Sequence, residues 1–573
     1  MFLPMTRAEM EKRGWTELDV ILITGDAYID SPFSGVAIIG RVLEDAGYRV
    51  GIIACPDPRD EDAFKALGKP KLFWGITAGA MDSMVANYTP LGKRRFQDDL
   101  LPEGKLTRPD RATIVYTNTI LRLFGREVPI ILGGIEASLR RIIHYDYWDD
   151  DLRRSVLMDS KADYLVYGMG EKTILEIAHK LARNEDIRDI RGLCYLSSSP
   201  PPEGIELPGW DEVKKDPLAF IEMFHLFYAN QDPITGKRLF QRQTPNDAPP
   251  RYLIHNPPAL PLTTEELDHV YELPYEHDAH PLHKKQGRIR ALETIQFSLT
   301  THRGCYGGCH FCAIGVHQGR WIISRSEDSL LREAKRLTKH PAFKGYFFDV
   351  GGPTANMWQM DCAKKAKSGA CRERHCLLPH PCERLIPSHE RQIRLLQAIR
   401  RLPGVKGVFV ASGIRPDLVY ADPDGEAYVR EIAFYHTSGQ LKLAPEHTES
   451  KILSLMGKPD LETLLRFRRD FLRFSHEAGK KQFLSYYFIA AYPGCSREDM
   501  IKAKHFIQKH LHLTPEQVQI FTPTPSTYAS VMYYTERDPF HPERKLFVEK
   551  NPSEKQKQKD ILQTSLEKAK KKP

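Results

Sequence analysis

The chain has no uninterrupted apolar stretch near the roughly 18 residues that a membrane-spanning helix needs, so no membrane partner is expected. It shows no secretory leader: Met1 to Trp15 carries Arg7, Glu9, Glu11, Lys12 and Arg13 and no apolar core. Its ten cysteines in 573 residues form no disulfide framework, and without a leader they are expected in a reducing compartment, free to bind metal or do chemistry. A cytoplasmic location follows as the expectation. No segment recurs at a fixed period. Charge of one sign is also scarce. The formal net charge is +8, and ten Lys/Arg against four Asp/Glu between Arg544 and Pro573 account for most of it. A near-neutral body argues against nucleic acid, and the basic run Lys568 to Lys572 supports such a partner only weakly.

What is present is ample core material: 41% hydrophobic residues, which excludes wholesale disorder. At roughly 150 residues per domain, two to four domains are expected. From Asp19 to Ser199, short β-branched runs alternate with helical patterns. Val20-Ile21-Leu22-Ile23, Val50-Gly51-Ile52-Ile53, Val128 to Leu132 and Tyr164 to Tyr167 read as buried parallel strands, and glycines follow or interrupt them. This pattern predicts a doubly wound sheet over residues 1–199. Twelve prolines between Pro200 and Pro261 predict an irregular connection or insertion over 200–292. Strand-helix alternation resumes over 293–535, with strands at Thr294 to Leu299, Gly345 to Val350, Val408 to Ala411, Gln440 to Leu443, Phe483 to Ala490 and Gln517 to Phe521. Six strands with helices between them predict a second α/β unit, an incomplete (β/α)6 barrel. Residues 536–573 read as a polar, basic tail with partial disorder.

The segment Thr301-His302-Arg303-Gly304-Cys305-Tyr306-Gly307-Gly308-Cys309-His310-Phe311-Cys312 is the most informative. Thiols four and three residues apart can converge on one cluster, and the glycines let the backbone wrap around it. It follows a strand, so it lies at a carboxyl edge, where α/β sites are built. Three ligands leave one iron of a four-iron cluster open. The alternative is a structural zinc knuckle completed by His302 or His310, whose fourth ligand would sit awkwardly close.

The Cys-x3-Cys-x2-Cys spacing, with Phe311 before the last Cys, resembles the signature of radical S-adenosylmethionine (SAM) enzymes. Gly351-Gly352-Pro353-Thr354 resembles the Gly-Gly-Glu segment that receives the SAM amino group through backbone carbonyls, with Pro353 in place of Glu. Ser324-Arg325-Ser326, Leu441 to Glu446 and Ala491-Tyr492-Pro493-Gly494 also resemble the family. Gly351 to Trp358, Ser412 to Asp417 and the amino-terminal α/β domain together resemble the YgiQ-type radical SAM family over nearly the whole chain. The resemblance implies a 4Fe–4S cluster on Cys305, Cys309 and Cys312, with SAM on the open iron. One-electron cleavage would give a 5′-deoxyadenosyl radical that abstracts hydrogen from a substrate the motifs do not identify. It also implies a cofactor cradle at Gly351, Gly352 and Thr354, and an electron donor such as flavodoxin or ferredoxin. Arg415 is the candidate for the SAM carboxylate, since a planar guanidinium matches it bidentately, and Ser412 for the ribose.

Cys362, Cys371, Cys376 and Cys382, with His375, His380 and His389 nearby, are candidates for a second metal site. Structural zinc, an auxiliary iron–sulfur cluster and free thiols all remain open. Cys55, Cys194 and Cys495 stand alone. The amino-terminal sheet is similar to cobalamin-binding domains at Val128 to Glu136 and Asp163 to Glu171. The Asp-x-His-x-x-Gly ligand motif is missing, however: Asp30-Ser31-Pro32-Phe33-Ser34-Gly35 has no His, which argues against bound cobalamin. Two rival functions remain. One is an RNA-modifying, methylthiotransferase-like enzyme, suggested by the tail and by Gln519 to Pro525. The other is a zinc-stabilised, non-enzymatic interaction protein.

Overall fold

The computed structural model describes residues 1–372 and 375–564. The chain divides into two compact units, Met1–Gln296 with Val316–Gly319, and Phe297–Gly315 with Arg320 onward.

The first unit is built on a nine-stranded sheet. Its parallel part comprises β1 (Val20–Thr24), β2 (Val50–Ala54), β3 (Phe73–Thr77), β4 (Ile130–Leu132) and β5 (Tyr164–Val166), in the spatial order 2-1-3-4-5. All five residues of β1 are buried, because parallel strands are covered on both faces, and this produces continuous rather than alternating apolar runs. Helices α1 (Gly35–Asp45), α2 (Ala112–Phe124) and α3 (Gly134–Leu139) lie between them, and α4 (Glu171–Ala182) follows β5. The order reverses between β1 and β3, the topological switch point of such sheets.

The proline-rich stretch differs from the irregular connection that was expected. It carries β7 (Ile205–Leu207), α5 (Pro217–Ala229), β8 (Leu239–Arg242) and β9 (Tyr252–His255), and with β6 (Leu193–Ser197) these strands extend the same sheet in the order β7-β8-β9-β6-β5. The prolines bound these elements rather than interrupt them. Pro202 and Pro208 flank β7, Pro250 and Pro257 flank β9, and Pro217 opens α5, where its missing N–H costs nothing.

The second unit carries parallel strand positions in chain order. These are β10 (Ser298–Thr300), β11 (Tyr346–Phe347) continuing as β12 (Asp349–Gly351), β13 (Gly407–Val408), β14 (Gln440–Glu446), β15 (Phe483–Ala490) and β16 (Gln517–Ile520). β10 pairs with β12, β11 with β13, and β14-β15-β16 form one sheet. Val350 N–H reaches Phe409 O at 3.0 Å, joining the second and third positions. Helices α6 (Glu327–Leu337), α7 (Glu390–Arg400), α8 (Gly425–Tyr435), α9 (Glu462–Glu477) and α10 (Arg497–Phe506) lie between them. This is the partial (β/α)6 barrel.

Two local expectations fail. Leu292–Ile295 is a helical turn, not the start of a strand. Leu292 and Ile295, three apart, both pack on the apolar cluster of Ala27, Ile29, Ala279 and Ile289, whereas a strand would turn them to opposite faces. The tail is also ordered through Thr564: Arg537–Asp538 pairs with His541–Lys545, and α11 (Pro552–Gln563) packs on α10 and β16. The run Lys568 to Lys572 lies outside the described residues. Among the described residues, no helix is long and apolar enough to cross a membrane.

Candidate functional site

The cysteine loop leaves the carboxyl end of β10. His302–Arg303 pairs with Ile323–Ser324 and holds its start. Gly308 has φ +68°, and a Cβ there would lie 2.6 Å from His375 Nδ1, so both conformation and space demand glycine. Cys305, Cys309 and Cys312 are all partly buried. Burial, and then the neighbouring Cys309, pushes the Cys305 thiol up; the same two causes push Cys312 up to about 12. The structure thus gathers the three thiols into one electrostatic neighbourhood. Among the described residues, no three His, Cys, Asp or Glu side chains stand close enough to hold a single metal ion. Three thiols on one loop are the donor chemistry that an iron–sulfur cluster takes. His302 and His310 are buried with unpartnered Nε2 atoms, and burial lowers them to about 3 and about 4.

The residues expected around SAM are placed differently. Thr354 Oγ1 lies 3.3 Å from Cys305 Sγ, turned to the thiol. Arg415 spends its fork on Asp417, with Nε to Oδ1 at 2.9 Å and Nη2 to Oδ2 at 2.5 Å, and turns Nη1 to Cys309 Sγ at 3.7 Å. The fork expected for a carboxylate of SAM is therefore already filled. Burial opposes the Arg415 charge, but Asp417 outweighs it and holds the group above its ordinary value. Ser412 Oγ donates to Asp349, as does its N–H at 3.1 Å, so the hydroxyl expected at the ribose is engaged. Burial raises the Asp349 carboxyl. Gly351 O accepts from Thr301 N–H at 2.7 Å and from Thr301 Oγ1 at 3.1 Å. A Cβ on Gly352 would lie 2.6 to 2.9 Å from the His302 ring, so this strand end admits only bare backbone.

Among the described residues, the four later cysteines are not drawn together as a ligand set. Cys376 and Cys382 pack with Tyr306, Met357, Met360, Leu377, Leu385 and Leu418, and burial raises the Cys376 thiol. Cys371 Sγ accepts from Lys364 Nζ at 3.3 Å. His389 is committed to Asp422 at 2.7 Å.

Sequence reasoning missed Asp417, which holds Arg415, although it ends a quoted motif. Glu446, which ends another quoted motif, is half-buried, has a carboxyl raised by burial, and has φ +70° at the end of β14. Cys495 is not alone either: its Sγ lies 3.4 Å from His447 Nε2. His447 Nδ1 accepts from Glu449 N–H at 3.1 Å, which leaves the ring proton on Nε2. The histidine therefore donates to the thiol and cannot act as its base.

In the first unit, the switch point is filled. Asp26, just past β1, accepts from Ala80 N–H at 2.6 Å and pairs with the buried Arg108, whose Nη1 also reaches Asp98 at 2.6 Å. Farther along the same edge, Gly133 faces open space, and Gly168 N–H bonds Ser138 Oγ at 3.1 Å.

The Radical SAM N-terminal family model matches residues 2–298. A UPF0313 protein of Fusobacterium nucleatum subsp. nucleatum is 50% identical over 564 residues, covering 98% of each chain. One of Thermotoga maritima is 50% identical with the same coverage. The structure of TsrM from Kitasatospora setae, a radical S-adenosylmethionine methyltransferase with cobalamin and a 4Fe–4S cluster bound, matches with a TM-score of 0.51 at 14% identity. That match covers 90% of this chain and 78% of TsrM. The likeness is one of fold, and it corrects the argument against cobalamin. A missing His motif does not set this scaffold apart from cobalamin carriers, because a protein of the same fold holds the cofactor.

Proposed function

The chain belongs to the UPF0313 family, the YgiQ-type family its motifs resemble, and from that premise we propose that it is a radical SAM enzyme whose 4Fe–4S cluster is held by Cys305, Cys309 and Cys312. The observation that carries the reading is the set of three half-buried thiols on one glycine-rich loop at the carboxyl end of β10, with a guanidinium beside them. When bound, the cluster and SAM supply one-electron cleavage of the sulfonium and a 5′-deoxyadenosyl radical.

The chain's own residues prepare that chemistry. Thr354 and Arg415 face the ligand sulfurs. His302 and Ser412 wall the Gly351-Gly352 strand end, where only backbone can meet a nucleotide. On the other side, Phe311 meets the edge of Tyr492 at 6.3 Å between centroids, and Tyr492 meets Phe521 at 5.0 Å. This aromatic wall keeps water from a reactive centre.

Cobalamin belongs to the same proposal, supported by the bound state of TsrM. The open edge at Gly133 and the turn at Gly168 are the residues that would take it, without an axial histidine from Asp30 to Gly35, since Arg108 closes the β1–β3 crevice. The test is the iron, sulfide, cobalt and zinc content of anaerobically purified protein, followed by reduction in the presence of SAM. Iron with sulfide, cobalt, and release of 5′-deoxyadenosine are expected. A colourless, zinc-loaded protein that leaves SAM intact overturns the reading.

A further inference from the structure

Two side chains that the sequence pattern assigns to the nucleotide are turned to cysteine sulfur instead. Thr354 is buried, and its hydroxyl lies 3.3 Å from Cys305 Sγ, which also accepts from Gly307 N–H at 3.4 Å. Arg415 is buried too, and it approaches Cys309 Sγ with the one terminal nitrogen that Asp417 leaves to it. Glycine makes this approach possible: a Cβ at Gly307 would lie 3.1 Å from Arg415 Nη1 and 3.2 Å from Cys305 Sγ. The guanidinium is therefore packed against the loop, between the Asp417 carboxylate and the Cys309 sulfur.

We infer that Thr354 and Arg415, the latter aimed by Asp417, donate to the cluster's cysteine sulfurs and raise its reduction potential, an inference that rests on the cluster proposed above. A reduced cluster carries one more negative charge than an oxidised one. A donor fixed on a ligand sulfur stabilises the reduced form more, and the potential rises. The donors are supplied by the ends of neighbouring strands, Thr354 after β12 and Arg415 after β13, so the barrel itself fixes their distance from the loop. Thr354 and Arg415 are positioning residues in this scheme. They touch the ligand sulfurs and need not touch substrate.

The test is a redox titration of the anaerobically reconstituted full chain, followed by electron paramagnetic resonance of the reduced cluster. Three variants accompany the wild type. T354V removes only the hydroxyl, T354S restores it, and R415Q with D417N removes both charges so that neither is left buried alone. All are expected to keep wild-type iron content. T354V and the double variant should each show a lower midpoint, with a reduced fraction about tenfold smaller at fixed potential, equivalent to 59 mV for one electron. T354S should titrate like the wild type. Unmoved midpoints in T354V and the double variant overturn the inference while leaving the cluster assignment standing, and so does loss of iron from T354V. A wild-type chain that assembles no cluster overturns the functional reading itself.

Discussion

Asn356 grips the backbone of Arg415 from both sides: its Oδ1 accepts from Arg415 N–H at 2.9 Å, and its Nδ2 donates to Arg415 O at 3.1 Å. The grip has its own support. Asp422 accepts from His389 Nδ1 at 2.7 Å, which fixes the ring so that Nε2 can accept from Asn356 Nδ2 at 3.2 Å. A line of hydrogen bonds thus runs from Asp422 through His389 and Asn356 to Arg415, and so to Cys309.

Replacing Asn356 by Leu should break that line. Two backbone groups of Arg415 and one ring nitrogen lose their partner in a buried setting, at about 1–3 kcal/mol for each group left unsatisfied. N356D keeps the Oδ1 acceptor and should lose less. Urea unfolding of the two variants beside the wild type checks the order; equal midpoints in all three would show that the grip contributes nothing.

Much of the architecture could be read from the sequence, because the strands of a parallel sheet announce themselves. Val20-Ile21-Leu22-Ile23 can hardly be anything other than a strand buried on both faces. The extension β7-β8-β9 was hidden because prolines at element boundaries look, in sequence, like prolines within an irregular segment. The cysteine loop was visible because its spacing is local. The roles of Thr354 and Arg415 were not visible, since Asp417 competes for the guanidinium and no linear pattern shows which partner wins.

The two cysteine groups should respond differently to substitution. Changing Cys305, Cys309 or Cys312 to Ala should each abolish iron retention and SAM cleavage. Changing Cys376 to Ala should leave iron and zinc content unchanged, and it should lower stability by about 1 kcal/mol through the small void left beside Leu377 and Tyr306. Metal analysis and denaturant unfolding separate the outcomes. Metal lost from C376A would establish a second site.

Acid should weaken the metal-free fold through its buried histidines. Burial, then Arg140, lowers His144 to about 4 from 6.5, and burial lowers His447 to about 4 from the same value. Between those limits the unfolded chain binds protons that the folded chain refuses, so stability is full above 6.5 and falls as pH drops. Each such histidine contributes about 1.4 kcal/mol per pH unit. H447Q should reduce that slope by one proton's share, measured as urea midpoints across this range. An unchanged slope would mean that His447 is protonated in the fold.

The carboxyl-terminal helix should prove to be part of the barrel. Asn551 caps α11 by accepting from Ser553 N–H at 2.8 Å, and Pro552 sits at its first position. From its inner face, Gln558 accepts from Ala491 N–H at 3.0 Å and donates to Cys495 O at 3.4 Å, holding the turn that follows β15. Lys555, buried, donates to Tyr533 OH at 2.8 Å, and Leu562 is 2% exposed. A chain stopped after Thr564 should therefore melt like the full-length protein. One stopped after Lys550 strips the cover from α10 and β16 and orphans the Ala491 amide. The loss should be several kcal/mol, of the order expected for a few buried side chains plus an unpaired buried donor. Thermal unfolding and soluble yield of the two truncations decide the matter. If both melt alike, the helix is an appendage, and the Gln558 contacts do not hold the β15 turn.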